Sequence, residues 1–213
     1  MKRIDILTEP TDSLGRLLSA RRTGLRKFRL FTVACCRADF DLITDPNCRE
    51  LMDLAEQFAD GEVPAVAVAE LRRKVHRWAA QQPHITLEPT NELDPDPDGH
   101  KRWMRIWAAY QTAKPTGRPV FGFMNHFPYR PLLADIVGPS PMFAIFSPEW
   151  RTDTAVSLAR GMYDSRDFSA MPILADALQD AGCDSADILN HCRDAKQVHI
   201  RGCWVVDLVL GKE

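Results

Sequence analysis

The sequence predicts an all-α fold, an irregular multi-helix bundle of about eight or nine helices. Apolar residues recur at spacings of three and four through most of the chain, as one buried helix face requires. Helix-start signals such as Thr44-Asp45-Pro46 and stops such as Gly24, Gly61 and Gly182 punctuate that pattern. At 45% hydrophobic and 26% charged residues the composition is that of an ordinary globular protein.

Taken in order, Thr11 or Asp12 caps a short helix carrying Leu14, Leu17 and Leu18, closed by Arg21–Gly24. A longer helix follows from about Leu25 to Ile43. Its stripe of Phe28, Phe31, Cys35, Ala38 and Leu42 is widened by Leu30, Val33 and Ala34, the mark of a central helix. Pro46 opens a third helix that buries Leu51, Leu54, Ala55 and Phe58. Val63-Pro64 opens a fourth through Val66, Ala69, Leu71, Val75 and Trp78, so residues 25–82 read as helical hairpins. Four prolines and five acids between Pro83 and Gly99 make an acidic, proline-rich loop. Residues 100–131 begin with helical spacing at Trp103, Ile106, Trp107 and Tyr110 and continue as an aromatic segment without period. The C-terminal part, residues 132–213, holds a short helix to Val137 and the irregular stretch from Gly138 to Pro148. A helix capped by Thr152 or Asp153 comes next, then one opened by Met171-Pro172 with Ile173, Leu174, Ala177 and Leu178 inward. Another is capped by Asp184 or Ser185 with Ile188, Leu189 and Cys192 inward, and a tail helix follows Arg201-Gly202. The whole, residues 1–213, is expected to form a single α-helical domain.

The net charge of −2 gives no overall pull toward nucleic acid or acidic membranes. The N-terminus has no apolar stretch behind its first charges, and no run reaches membrane-helix length. A cytoplasmic protein with no membrane association is expected, its six cysteines reduced. No Walker A motif, nucleophile elbow, Rossmann glycine pattern or H-E-x-x-H is present.

Three groups of residues carry candidate chemistry. Cys183, His191, Cys192, His199 and Cys203 are all competent zinc ligands within one short stretch. Their spacing is that of no standard knuckle, and adjacent His191 and Cys192 point about 100° apart on a helix. The plainer reading packs Cys192 beside Ile188 and Leu189, and Cys203 beside Trp204, with no cofactor. Basic residues form the second group: Arg21, Arg22, Arg26 and Lys27, then Arg72, Arg73, Lys74 and Arg77, extended by Lys101, Arg102 and Arg105. They suit phosphate contacts, or else a solvated face paired with Asp39, Asp41, Asp53 and Glu56. In the third, Phe121, Phe123, Asn125, His126, Phe127 and Tyr129 could form a partner-binding surface.

Three further features favour the structural reading. Cys35-Cys36 lacks C-x-x-C redox spacing and reads as core thiols. Asp94–Gly99 imitates a calcium loop but places Arg105 where the bidentate Glu belongs. Asp207, inside an apolar run, needs a partner such as Arg201 or Arg193.

The segment Lys27–Arg37, Phe146-Ser147-Pro148-Glu149-Trp150, Leu174–Leu178 with Ala181-Gly182-Cys183, and the tail His191-Cys192-Arg193 with His199–Asp207 resemble a helical protein family abundant in planctomycete genomes. The match covers residues 27–37 and about 132–213, with Asp194–Val198 standing where that family typically has a P-G-P-like turn. It implies the fold and carries no activity, catalytic residue or ligand with it. The expectation is therefore a non-catalytic interaction or adaptor protein with a protein partner. The alternatives are a nucleic-acid-associated accessory protein and a zinc-stabilised domain.

Overall fold

The computed structural model describes residues 24–38, 41, 43, 45–82, 130–138 and 146–212. Among them the chain is all-α: eight α-helices, one short 3₁₀ turn and no strand. No helix there is long and apolar enough to cross a membrane. The helices are α1 (Leu25–Ala38), α2 (Pro46–Ala59), α3 (Ala65–Ala79), α4 (Arg130–Val137), α5 (Asp153–Ser165), α6 (Met171–Asp180), α7 (Ala186–Arg193) and α8 (Trp204–Leu210). The first expected helix, the acidic loop and the aromatic segment lie outside the described residues.

The chain divides into two compact units, Phe28–Phe123 and Met1–Lys27 with Met124–Glu213. In the first, the core is built by Val33 and Cys36 of α1, Leu51, Met52 and Ala55 of α2, and Val68, Leu71, Val75 and Ala79 of α3. Helix α1 has Phe28 through Cys36 all buried, but it ends at Ala38 rather than near Ile43, and Ala38, expected inward, is exposed. Cys35 and Cys36 are buried free thiols. Helix α2 starts where Thr44-Asp45-Pro46 indicates: Asp45 is the N-cap, its carboxylate accepts the Cys48 N–H, and Pro46 opens the first turn. Arg37 reaches Glu56 through two hydrogen bonds, at 3.1 and 3.2 Å, and also pairs with Asp53. Asp53 and Glu56, expected as partners of a basic helix face, pair here with Arg37. Val66, expected inward on α3, is 65% exposed, because the buried phase runs through Val68, Leu71, Val75 and Ala79.

The second unit packs α5, α6, α7 and α8 around Ala155, Tyr163, Leu174, Leu178, Ile188, Cys192, Val205, Val206 and Val209. Thr152 caps α5 by accepting the Ala155 N–H at 3.2 Å. Ile173 of α6, expected inward, is 58% exposed, while Leu174, Ala175 and Leu178 carry the buried face. The tail is held at both ends. Arg151 donates two hydrogen bonds, at 3.1 and 3.0 Å, to the Leu208 carbonyl at the C-terminus of α8. Asp207 is buried and accepts hydrogen bonds from both terminal nitrogens of Arg26, at 2.7 and 2.9 Å, and pairs with Lys27. Arg26 also reaches the Tyr163 hydroxyl at 2.7 Å, and Lys27 the Gly202 carbonyl at 2.7 Å. Asp207 therefore draws its partners from 181 residues away rather than from the tail. Arg193 pairs with Asp176, and Arg201 lies over the Tyr163 ring.

Candidate metal centre

Four side chains converge inside the second unit: Asp135, His191, His199 and Cys203. Each element brings its ligand for a local reason. Asp135 sits on α4 in the run Leu132-Leu133-Ala134-Asp135-Ile136, whose apolar neighbours Leu132, Leu133 and Ile136 are buried. Burial of that face carries the carboxylate inward with them, and it is completely enclosed. His191 lies in the last turn of α7, one residue before Cys192. The 100° step between neighbours sends Cys192 into the apolar cluster and His191 toward the carboxylate. Residues 194–200 then fold back. The Asp194 carboxylate accepts the Lys196 N–H at 2.9 Å and its carbonyl accepts the Gln197 N–H at 3.0 Å, making a turn without proline. That turn delivers His199. A second turn through Gly202, at φ +96°, places Cys203 as the residue before α8.

One carboxylate oxygen is the hub. Asp135 Oδ1 lies 2.9 Å from His199 Nδ1 and 3.1 Å from His191 Nε2. Cys203 Sγ lies 3.2 Å from His191 Nε2 and 3.9 Å from His199 Nδ1. One donor atom from each of the four residues falls within 4.8 Å of every other. The second oxygen of Asp135 accepts the Ile200 N–H at 2.9 Å, which fixes the carboxylate's orientation. Trp204 flanks His191, ring centroids 5.1 Å apart, and the two imidazoles meet edge to face at 4.9 Å.

The electrostatics are those of a sequestered polar cluster. Burial opposes ionisation of Asp135, but hydrogen bonds from His191 and His199, together with their charge, hold its carboxyl below the usual carboxylate range. Burial pushes the Cys203 thiol well above the ordinary value, Asp135 adds to that, and the amides of Val206 and Val205 pull the other way. Burial likewise raises Cys192, to about 12.

Two kinds of chemistry could use a thiol, imidazoles and a carboxylate. A nucleophile–base–acid relay uses the two ring nitrogens of one histidine in series, one toward the thiol and the other toward the carboxylate. Here the same nitrogen, His191 Nε2, faces both Cys203 and Asp135. The sulfur is also wholly buried, so no substrate reaches it. The convergent arrangement suits chelation instead. With bonds of about 2.0–2.3 Å, a tetrahedral ion sets oxygen and nitrogen donors about 3.3 Å apart and sulfur and nitrogen about 3.6 Å apart. The oxygen–nitrogen separations of 2.9 and 3.1 Å fall a few tenths of an ångström short of that edge, and the sulfur–nitrogen ones of 3.2 and 3.9 Å lie either side of theirs. The cluster can hold a metal ion.

Of the five residues expected to form a metal site, His191, His199 and Cys203 come together. Cys183 and Cys192 do not join them, and pack as buried thiols in the apolar cluster. The fourth donor, Asp135, was missed by sequence reasoning. Its signal is the one that marks Asp207, an acid inside an apolar run. The repeated Leu-Ala-Asp in α6 is no guide, since Asp176 is exposed.

Among the basic residues, Arg26 and Lys27 are engaged with Asp207, while Arg72, Arg73, Lys74 and Arg77 stand on α3. Arg21, Arg22, Lys101, Arg102 and Arg105 lie outside the described residues, as do Phe121, Phe123, Asn125, His126, Phe127 and Tyr129. No protein-family model, curated protein or solved structure matches the chain.

Proposed function

We propose that the protein is a non-catalytic, zinc-stabilised helical protein, with Asp135, His191, His199 and Cys203 as the zinc ligands. The observation that carries this reading is the convergence of four donors of three kinds on one buried point. One thiolate, two imidazoles and a carboxylate are a donor set for zinc. Calcium and magnesium take oxygen ligands, and copper(II) prefers a tetragonal arrangement. Catalytic zinc sites keep a position open for water or substrate, whereas structural ones are closed by four protein ligands. Here four ligands are available, and the side chains of Asp135, His191 and His199 are 0%, 10% and 7% exposed. The ion would fasten the fold-back of residues 191–203 to α4, beside the hydrogen bond from the Ile200 N–H to Asp135.

Zinc and thermal stability should be measured on untagged protein, before and after treatment with a chelator. One zinc per chain is expected, and at a thousandfold excess over its dissociation constant it adds about 4 kcal/mol of stability. Cys203→Ser and His199→Ala lose the metal, and Cys192→Ser keeps it. Cobalt substituted for zinc should give a tetrahedral spectrum whose thiolate-to-cobalt band disappears in Cys203→Ser. Metal below about a tenth of an equivalent, with no rise in melting temperature when zinc is added to stripped protein, would overturn the reading.

A further inference from the structure

The four donors of the candidate metal centre are not held alike. Asp135 sits on α4 among the buried residues Leu132, Leu133 and Ile136. His191 precedes Cys192 on α7, and Cys192 and Cys203 both belong to the apolar cluster of their unit. These three donors are thus anchored by apolar burial on or beside a helix. His199 is the exception. It lies on residues 194–200, and none of those seven joins the apolar cluster. Asp194, Ala195, Lys196 and Val198 are exposed, and Gln197 and Ile200 are half-buried.

The segment is pinned just beyond both ends. On one side Arg193 donates to Asp176 and to Gln179, each at 2.7 Å. On the other, Arg201 lies over the Tyr163 ring, 4.5 Å from its centroid, and Lys27 donates to the Gly202 carbonyl at 2.7 Å. Between those pins, among the described residues, the hydrogen bonds of 195–200 that leave the stretch 191–203 all end on Asp135. The rest close the turn locally, as the Lys196 and Gln197 N–H groups do on Asp194.

A metal ion at this centre is enclosed, so it enters and leaves only if something moves aside. Moving α4, α7 or Cys203 would open the apolar cores that hold them. Lifting 194–200 breaks only its bonds to Asp135 and that of His199 to the ion. Segments with few buried apolar contacts are the ones that open locally. We propose that residues 194–200 are a gate through which zinc enters and leaves the folded chain, taking the zinc reading above as its premise. His199 swings out with the gate while Asp135, His191 and Cys203 hold the ion until it exchanges. The chain is thereby loaded and stripped without unfolding, and it responds to zinc supply after it has folded.

The test follows transfer of zinc from the full loaded chain to an excess of a coloured chelator. The variant A195G/K196G adds backbone freedom at two exposed positions and touches no ligand. It should speed release about fourfold to thirtyfold. Thr152→Ala weakens the cap of α5 and lowers overall stability, yet should leave the rate unchanged. Urea below the unfolding transition should also leave it unchanged, because a local opening exposes little surface. In hydrogen exchange, the amides of 195–200 should lose protection when zinc is removed, while those of α5 and α6 keep theirs. Release from A195G/K196G at the wild-type rate, equal acceleration by Thr152→Ala, or joint loss of protection in α5 and α6 would sink the gate and leave the zinc site standing. A chain that takes up no zinc would sink both.

Discussion

Replacing Asp207 by Asn removes one negative charge from a place where two positive ones depend on it. The carboxylate is 3% exposed, receives both terminal nitrogens of Arg26 and faces the Lys27 ammonium. An asparagine keeps the shape, but only one of its two terminal atoms can accept, and its NH₂ meets a cation. Breaking a buried ion pair costs about 3–5 kcal/mol, chiefly because the survivor is left uncompensated. The survivors here are 13% and 15% exposed, so they recover some hydration and the lower end applies, about 3 kcal/mol. For a chain of this length that is a fall in melting temperature of about 6–12 °C. Thermal and urea unfolding followed by circular dichroism measure it. Arg26→Ala and the double variant Arg26→Ala/Asp207→Asn complete a cycle whose coupling should be about 1–3 kcal/mol. A loss under about 1 kcal/mol, or strictly additive single variants, would show that Arg26 and Lys27 are solvated well enough to need no carboxylate, and the argument from burial would fail.

Gly138→Ala tests the wall of the candidate metal centre. Gly138 has φ +69°, and a Cβ there would lie 2.8 Å from Cγ of Trp204, the ring that flanks His191. Left-handed strain and overpacking together should cost about 2 kcal/mol or more. Thermal unfolding reads that loss, and zinc affinity should fall with it; an unchanged melting temperature would mean that the Trp204 ring can move aside. Thr152→Ala removes the side-chain acceptor for the Ala155 N–H. It should cost about 1 kcal/mol in urea unfolding, with Thr152→Ser near wild type, and equal loss in both variants would point to the Thr152 methyl rather than its hydroxyl.

Helical phase was legible because it is a local property. Three- and four-residue spacing located α1 to α8, Asp45 and Thr152 marked their helix starts, and the apolar faces of α2 and α7 came out as expected. Where it failed, at Val66 and Ile173, the apolar residue lies far round its helix from the buried face, about 180° from Val75 and about 140° from Leu178. A lone apolar residue on the polar side of a helix is common, and counting it into the stripe misplaces it.

The site was legible in part, for a different reason. Phase says which residues turn inward, not which inward residues meet. His191 and Cys203 are 12 apart, so a shared cluster could be suspected from the tail alone. Asp135 stands 64 residues before His199, and no periodicity spans that distance. What the sequence does contain is a mismatch that must be resolved somewhere: a carboxylate carried inward by its apolar neighbours has to be charge-compensated or coordinated. Asp207 and Asp135 present the same mismatch and resolve it oppositely. Asp207 meets two permanent cations, which leave it an ion pair. Asp135 meets two imidazoles and a thiol, groups that bind a metal in their neutral and deprotonated forms. The chemistry of the partners, more than the burial of the acid, is what separates a structural salt bridge from a cluster that can hold a metal. In a sequence, an inward acid is therefore worth pairing with every histidine and cysteine whose helical phase also points inward.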